Sequence, residues 1–120
     1  MRAFSARRAL RLPVRAGDIK LGRPVDVLLD RIEWRVLGFE VHCGDGATRF
    51  LPLSAARVGD TEIATGSALT LLEDVDHYRT RSRSLRALLG TAVTGGLLRD
   101  LLVDRDGAVS ELVAGQEDAA

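Results

Sequence analysis

Residues 26–31 read Asp26-Val27-Leu28-Leu29-Asp30-Arg31, and residues 100–105 read Asp100-Leu101-Leu102-Val103-Asp104-Arg105. In each sextet an aliphatic centre lies between two aspartates and ends on an arginine. Each has a glycine four residues upstream, Gly22 and Gly96, and each is followed by a short turn and an extended-looking segment, Val36–Val41 and Val109–Ala114. Self-similarity with the same sequel marks a repeated unit, here a strand–turn–strand used twice. The carboxylates of Asp26, Asp30, Asp100 and Asp104 are expected near strand ends, where they satisfy turn amides and discourage edge-to-edge pairing.

Outward from the sextets the hydrophobic period stays at two. Leu37, Phe39, Val41 and Cys43 fall on one face of an extended segment, and Val36, Gly38, Glu40 and His42 on the other. Gly44-Asp45-Gly46 then turns the chain into 49–53, a hairpin pattern. Weaker strand candidates flank Gly66 at 61–65 and 68–72, 98–103 reads as a buried strand, and Asp106-Gly107 turns into a second hairpin at 108–114. Leu10, Leu12 and Val14 also alternate. The one helical signal is 84–89, with Ser84 as N-cap and Gly90 as stop. Many short strands and little helix predict an all-β protein, a small barrel-like sheet with an extra C-terminal hairpin from a partial second repeat. The divisions expected are a basic arm at 1–17, a core at 18–72, a linker at 73–84, the partial second repeat at 84–115 and a tail at 116–120. A lone hairpin is marginal in water, so the second unit must dock on the first or pair with another chain.

The 120 residues are 46% hydrophobic and 28% charged with zero net charge, so no overall field favours nucleic acid or a membrane surface. Arginine outnumbers lysine sixteen to one, with five arginines and no acid in residues 1–17 and four more between Arg79 and Arg86. The single cysteine, Cys43, excludes an internal disulfide and fits a reducing cytoplasm. No apolar run approaches the roughly 20 residues of a membrane-spanning helix.

The run 25–30, then 35–41, then 49–53 with Pro52, resembles the PRC-barrel domain: a strand ending in an aspartate, a hairpin, and an apolar–proline–apolar step before a final pair of strands. Residues 84–93, SLRALLGTAV, resemble the opening of the same domain. The resemblance covers 18–72 well and 84–114 in part. It implies a small β-barrel acting as a docking or assembly module without catalysis. Family members serve a photosynthetic reaction-centre subunit and a 16S ribosomal-RNA maturation factor. This chain lacks the membrane helix of the first and the separate N-terminal domain of the second.

Chemistry-bearing sets are sparse. His42 and Cys43 are neighbours, so on a strand they face opposite ways, and His77 lies in the linker. No metal or cofactor is expected. Asp26 and Asp30 would lie roughly 13 Å apart at about 3.3 Å per residue, far for a shared reaction centre. An enzyme is therefore not expected. The candidate contact residues are Tyr78, Arg79, Arg81, Arg83 and Arg86, where a ring for stacking accompanies cations for phosphate; as a bland alternative, the arginines fold back on Glu73, Asp74 and Asp76. Trp34, in the turn after the first sextet, reads as a lid on the core or a partner hot spot. The leading expectation is a cytoplasmic module that docks a protein partner or associates with itself, and the alternative is an RNA- or ribosome-associated factor using the arginine clusters.

Overall fold

The structure is a computed structural model and describes residues 3–115; the expected tail at 116–120 lies outside the described residues. Its elements are β1 (Phe4–Ser5), α1 (Ala6–Ala9), β2 (Val14–Ala16), β3 (Ile19–Asp30), β4 (Val36–Cys43), β5 (Thr48–Pro52), β6 (Ala56–Val58), β7 (Ile63–Thr65), α2 (Val75–Arg79), β8 (Ser82–Ser84), α3 (Leu85–Leu88), β9 (Ala92–Val93), β10 (Gly96–Val103) and β11 (Val109–Gly115). One sheet runs β5-β4-β3-β2-β7-β6 with β8 added beside β3, and it curls into a half-barrel. The other runs β1-β10-β11 with β9 beside β10. The fold is all-β and barrel-like, as the period-two pattern predicts. Short single-turn helices sit where serine or aspartate caps the first amides: Ser5 for α1, Asp74 for α2 and Ser84 for α3.

The repeat is a structural repeat, and it is longer than the sextets. In the first hairpin Arg23 pairs with His42, Pro24 with Val41, Asp26 with Glu40, Val27 with Phe39, Leu28 with Gly38 and Leu29 with Val36. In the second, Leu97 pairs with Gly115, Leu98 with Ala114, Asp100 with Val113, Leu101 with Leu112, Leu102 with Glu111 and Val103 with Val109. The registers match pair for pair. Both hairpins bulge at the same two places, at Val25 and Leu37 in the first and at Arg99 and Ser110 in the second. The correspondence extends upstream: β1–α1 repeats as β8–α3, and Val14 paired with Gly22 repeats as Val93 paired with Gly96.

The two units exchange their leading segments. β1, from the first unit, pairs with β10 of the second, while β8, from the second, pairs with β3 of the first. The units meet where Arg35 bridges Ala108, two residues in equivalent places. There Val36 N–H donates to Gly107 O at 2.7 Å and its counterpart Val109 N–H donates to Trp34 O at 3.0 Å. Those reciprocal bonds define a local two-fold axis. Gly107 is required at this crossing: its φ is +94°, and a Cβ would stand 2.7 Å from Val36 O.

A single core fills the space between the units. Ala6, Val27, Leu29, Phe39 and Leu51 contribute from the first, and Leu85, Leu98, Leu101 and Val103 from the second. Residues 44–81 join the first hairpin to β8. They supply β5, β6, β7 and α2. β7 pairs in parallel with β2, and α2 caps the outer face of the first hairpin. Leu28 and Phe50 are buried on that outer face, away from the main core.

Candidate functional site

Asp26 and Asp100 do not serve the turns. Each sits one residue past a bulge and receives the leading segment of the other unit. Asp26 accepts from the Ser84 hydroxyl and from Arg86 N–H at 3.2 Å; Asp100 accepts from the Ser5 hydroxyl and from Arg7 N–H at 2.9 Å. The remaining capacity goes to the following amide, Val27 N–H at 2.8 Å and Leu101 N–H at 2.7 Å. The two arginines extend the symmetry: the Arg86 guanidinium donates to Val25 O and that of Arg7 to Arg99 O, each the carbonyl of a bulge residue in the other unit. The turn amides fall to Asp30, which accepts from Ile32 N–H at 2.9 Å and Glu33 N–H at 2.8 Å. Those two amides, aided by Arg83 and Arg35, hold the Asp30 carboxyl below the usual carboxylate range. Asp104 keeps the turn role through its main chain, accepting from Gly107 N–H at 2.9 Å.

The members of the arginine–tyrosine cluster bond to the protein's own groups, while Arg79, Arg81 and Arg86 stay exposed. The Tyr78 ring stacks on Phe50 with centroids 4.0 Å apart. The Arg79 fork meets the Glu40 carboxylate on both nitrogens, at 2.7 and 3.1 Å, and also reaches Asp76 at 3.1 Å. Glu40 is only 6% exposed, the one buried charged side chain among the described residues, on the outer face beside Phe50. It survives there because a bidentate guanidinium compensates its lost hydration, and Glu40 in turn raises the Arg79 pKa. Arg83 donates to Asp30 O at 2.8 Å and Glu33 O at 2.9 Å, with its guanidinium 4.6 Å above the Trp34 ring. Arg81 donates to His77 O at 3.1 Å. Trp34 is half-buried against the core, as a lid would be.

Sequence reasoning missed three features. Ser5 and Ser84 open matching segments, SARRAL and SLRALL, yet Ser84 follows Ser5 by 79 residues while Asp100 follows Asp26 by 74. The difference is the hairpin tip at 15–21, two strand ends joined by the Gly17-Asp18 turn, reduced to Thr94 and Gly95 in the second unit. Glu40 was placed on the outer face, with no signal that Arg79 would reach it. The third feature is the outer edge of β11. Its counterpart β4 is flanked by β3 and β5, but beyond the Val109–Trp34 bond β11 pairs among the described residues with β10 alone. Leu102 and Val113, equivalent to buried Leu28 and Glu40, are half-exposed, and Glu111, equivalent to Gly38, is exposed.

Among the described residues no group of three or more His, Cys, Asp or Glu side chains is placed to hold a metal ion, and no helix is long and apolar enough to cross a membrane. An open groove of about 650 Å³ is lined by Lys20, Leu21, Asp45, Arg49, Leu69 and Leu72. At its rim Arg49 binds Asp45 on both nitrogens, at 3.0 and 2.8 Å, and lowers the carboxyl pKa to about 2. Leu69 beside it is 90% exposed. No family model matches the chain, and no curated protein is significantly similar to it.

Proposed function

We propose that this chain is a non-catalytic, PRC-barrel-like docking or assembly module of the cytoplasm, working through protein–protein contact. One observation carries the reading. The same hairpin occurs twice, and the edge and outer face covered in the first copy have no cover in the second among the described residues. A strand edge with unpaired main-chain groups is a ready interaction surface. The engagement of Arg79 by Glu40 and Asp76, and of Arg83 by the Asp30 and Glu33 carbonyls, also supports it over the RNA alternative, because fewer of their donors are left for phosphate.

The test is affinity capture with the full chain at low and high salt. A protein retained stoichiometrically at both, or self-association of the bait, is the expected result. Capture of RNA that falls steeply with salt replaces the proposal with the alternative, and capture of neither refutes both.

A further inference from the structure

We infer that the outer face of β6, β7, β2 and β3 docks an acidic segment of a protein partner. The inference rests on the docking reading for the kind of partner, and it names that partner's chemistry at a surface separate from the edge of β11.

The strand register sets the face. Val58, Ile63 and Val14 form one row across β6, β7 and β2 and point into the core, so the next row points outward. That row places Arg57 beside Ala64, Ala64 beside Arg15, and Arg15 opposite Lys20. Neighbouring strands lie about 4.8 Å apart, so Arg57 and Arg15 stand roughly 10 Å apart with only a methyl group between them. On the same face Arg23 stands opposite His42, and its guanidinium reaches Arg11 O at 3.5 Å, which brings Arg11 alongside. Shallow hollows flank the row, about 290 Å³ beside Arg57, Ala64 and Thr65 and about 300 Å³ beside Lys20, Arg23 and His42. Arg11, Lys20, Arg23 and Arg57 are exposed. The helices lie elsewhere, α2 against β5 and β8 and α1 against β10.

These cations have no counter-charge in the chain. Among the described residues none of Arg11, Arg15, Lys20, Arg23 and Arg57 meets a carboxylate. Arg15 donates to a main-chain oxygen, Asp18 O, at 2.9 Å, and the side chains of Arg11, Lys20 and Arg57 bond to nothing else in the protein. Glu62 shares the face two residues before Ala64, yet it pairs with none of them. Like charges directly opposite each other, as Arg15 and Lys20 are, destabilise a sheet. An anionic occupant offsets that repulsion.

Rings and curvature select the occupant. Single-stranded nucleic acid is held by stacking its bases on aromatic side chains. Here every ring is engaged away from this face: Phe4 lies against Phe39, Phe50 stacks on Tyr78, and Trp34 lies under Arg83. The outer face of a half-barrel is convex, so a nucleic-acid duplex, itself a convex rod, would touch it only along a line. An extended acidic peptide bends over the same surface, and its carboxylates match the guanidinium fork on two oxygens.

Fluorescence anisotropy of a labelled polyglutamate peptide, titrated with the full chain, tests the inference. Binding should saturate at about 50 mM salt and weaken about tenfold or more at about 300 mM, because exposed charges are screened. Lys20→Glu combined with Arg57→Glu should weaken it about tenfold or more. Arg31→Glu combined with Arg105→Glu changes the net charge equally at exposed hairpin turns and should stay within about twofold. Circular-dichroism melts of each variant report folding, and Lys20→Gln with Arg57→Gln, which should give a smaller loss in the same direction, replaces any reversal that does not fold. Absence of polyglutamate binding, or an equal loss in both reversal pairs, overturns the inference. So does tighter binding of oligouridylate, which gives the face to the RNA alternative, or of phosphatidylserine–phosphatidylcholine vesicles. Main-chain pairing at a strand edge resists salt, so a chain that leaves polyglutamate unbound but retains a protein at high salt keeps the docking reading and loses this face alone.

Discussion

Replacing Asp100 with alanine should cost about as much stability as replacing Asp26, although the two lie in different sheets. Each carboxylate accepts a serine hydroxyl and an arginine amide from the exchanged segment, together with the next amide of its own strand. Bonds to a charged acceptor contribute about 1.5–3 kcal/mol each when well shielded. These sites are half-exposed and water replaces part of what is lost, so about 2–3 kcal/mol for each aspartate is the working figure. At roughly 4 °C per kcal/mol for a domain of this size, Tm should fall by about 8–12 °C in each variant. Ser84→Ala or Ser5→Ala should cost about 1 kcal/mol, the usual worth of an N-cap. Double-mutant cycles of Ser84 with Asp26 and of Ser5 with Asp100 should return matching coupling energies, about 0.5–1 kcal/mol, while Ser84 with Asp100 returns none. Urea titration followed by far-ultraviolet circular dichroism measures all of these. A loss below about 0.5 kcal/mol at either aspartate, within the range of ordinary surface changes, or coupling within a unit instead of between units, refutes the exchange as a source of stability.

A Cβ at position 38 would land on Leu51 O, so Gly38→Ala should cost about 3 kcal/mol or leave the chain unfolded, whereas Glu111→Ala at the equivalent place should stay within about 0.5 kcal/mol in urea titrations. Arg79→Ala leaves the Glu40 carboxylate buried without its guanidinium and should cost about 3 kcal/mol at pH 7; most of that should return in Glu40→Gln/Arg79→Ala, the combination that removes the charge. The Asp45 carboxyl has a folded pKa of about 2, below its ordinary 3.8, so its stabilisation is complete above about pH 4 and is lost as pH falls towards 2; Asp45→Asn should flatten that limb of the acid-unfolding curve and leave the region above pH 5 unchanged in slope.

The period-two pattern was enough for the hairpins because Phe39, Val41, Leu101 and Val103 alternate without interruption towards one core. The sextets were visible because Asp26 and Asp100 must keep both oxygens for donors on the other unit, which preserves residue type and spacing together. The rest of the repeat was hidden for a mechanical reason. A hairpin turn can lengthen by five residues without disturbing the strands it joins, so SARRAL and SLRALL fall out of step with the sextets. Residues 6–9 are helical within a segment whose Leu10, Leu12 and Val14 alternate, since one Ser5 cap suffices for a single turn. Residues 73–84 carry no apolar period because α2 holds the sheet through a ring and a guanidinium instead of an aliphatic stripe. The arginine run reads as a solvated face because its acceptors are largely main-chain carbonyls, which leave no mark on the sequence.

The two hairpins also show how one local plan serves two environments. In the first, β5 crosses so closely over position 38 that only glycine fits, and α2 brings a cation to position 40, which then carries glutamate. In the second, neither neighbour is present among the described residues, and the same two positions hold Glu111 and Val113. A strand curling over β11 as β5 curls over β4 would strike the Cβ of Glu111. The second edge is therefore unsuited to a copy of β5 and suited to a flatter strand that meets it edge to edge.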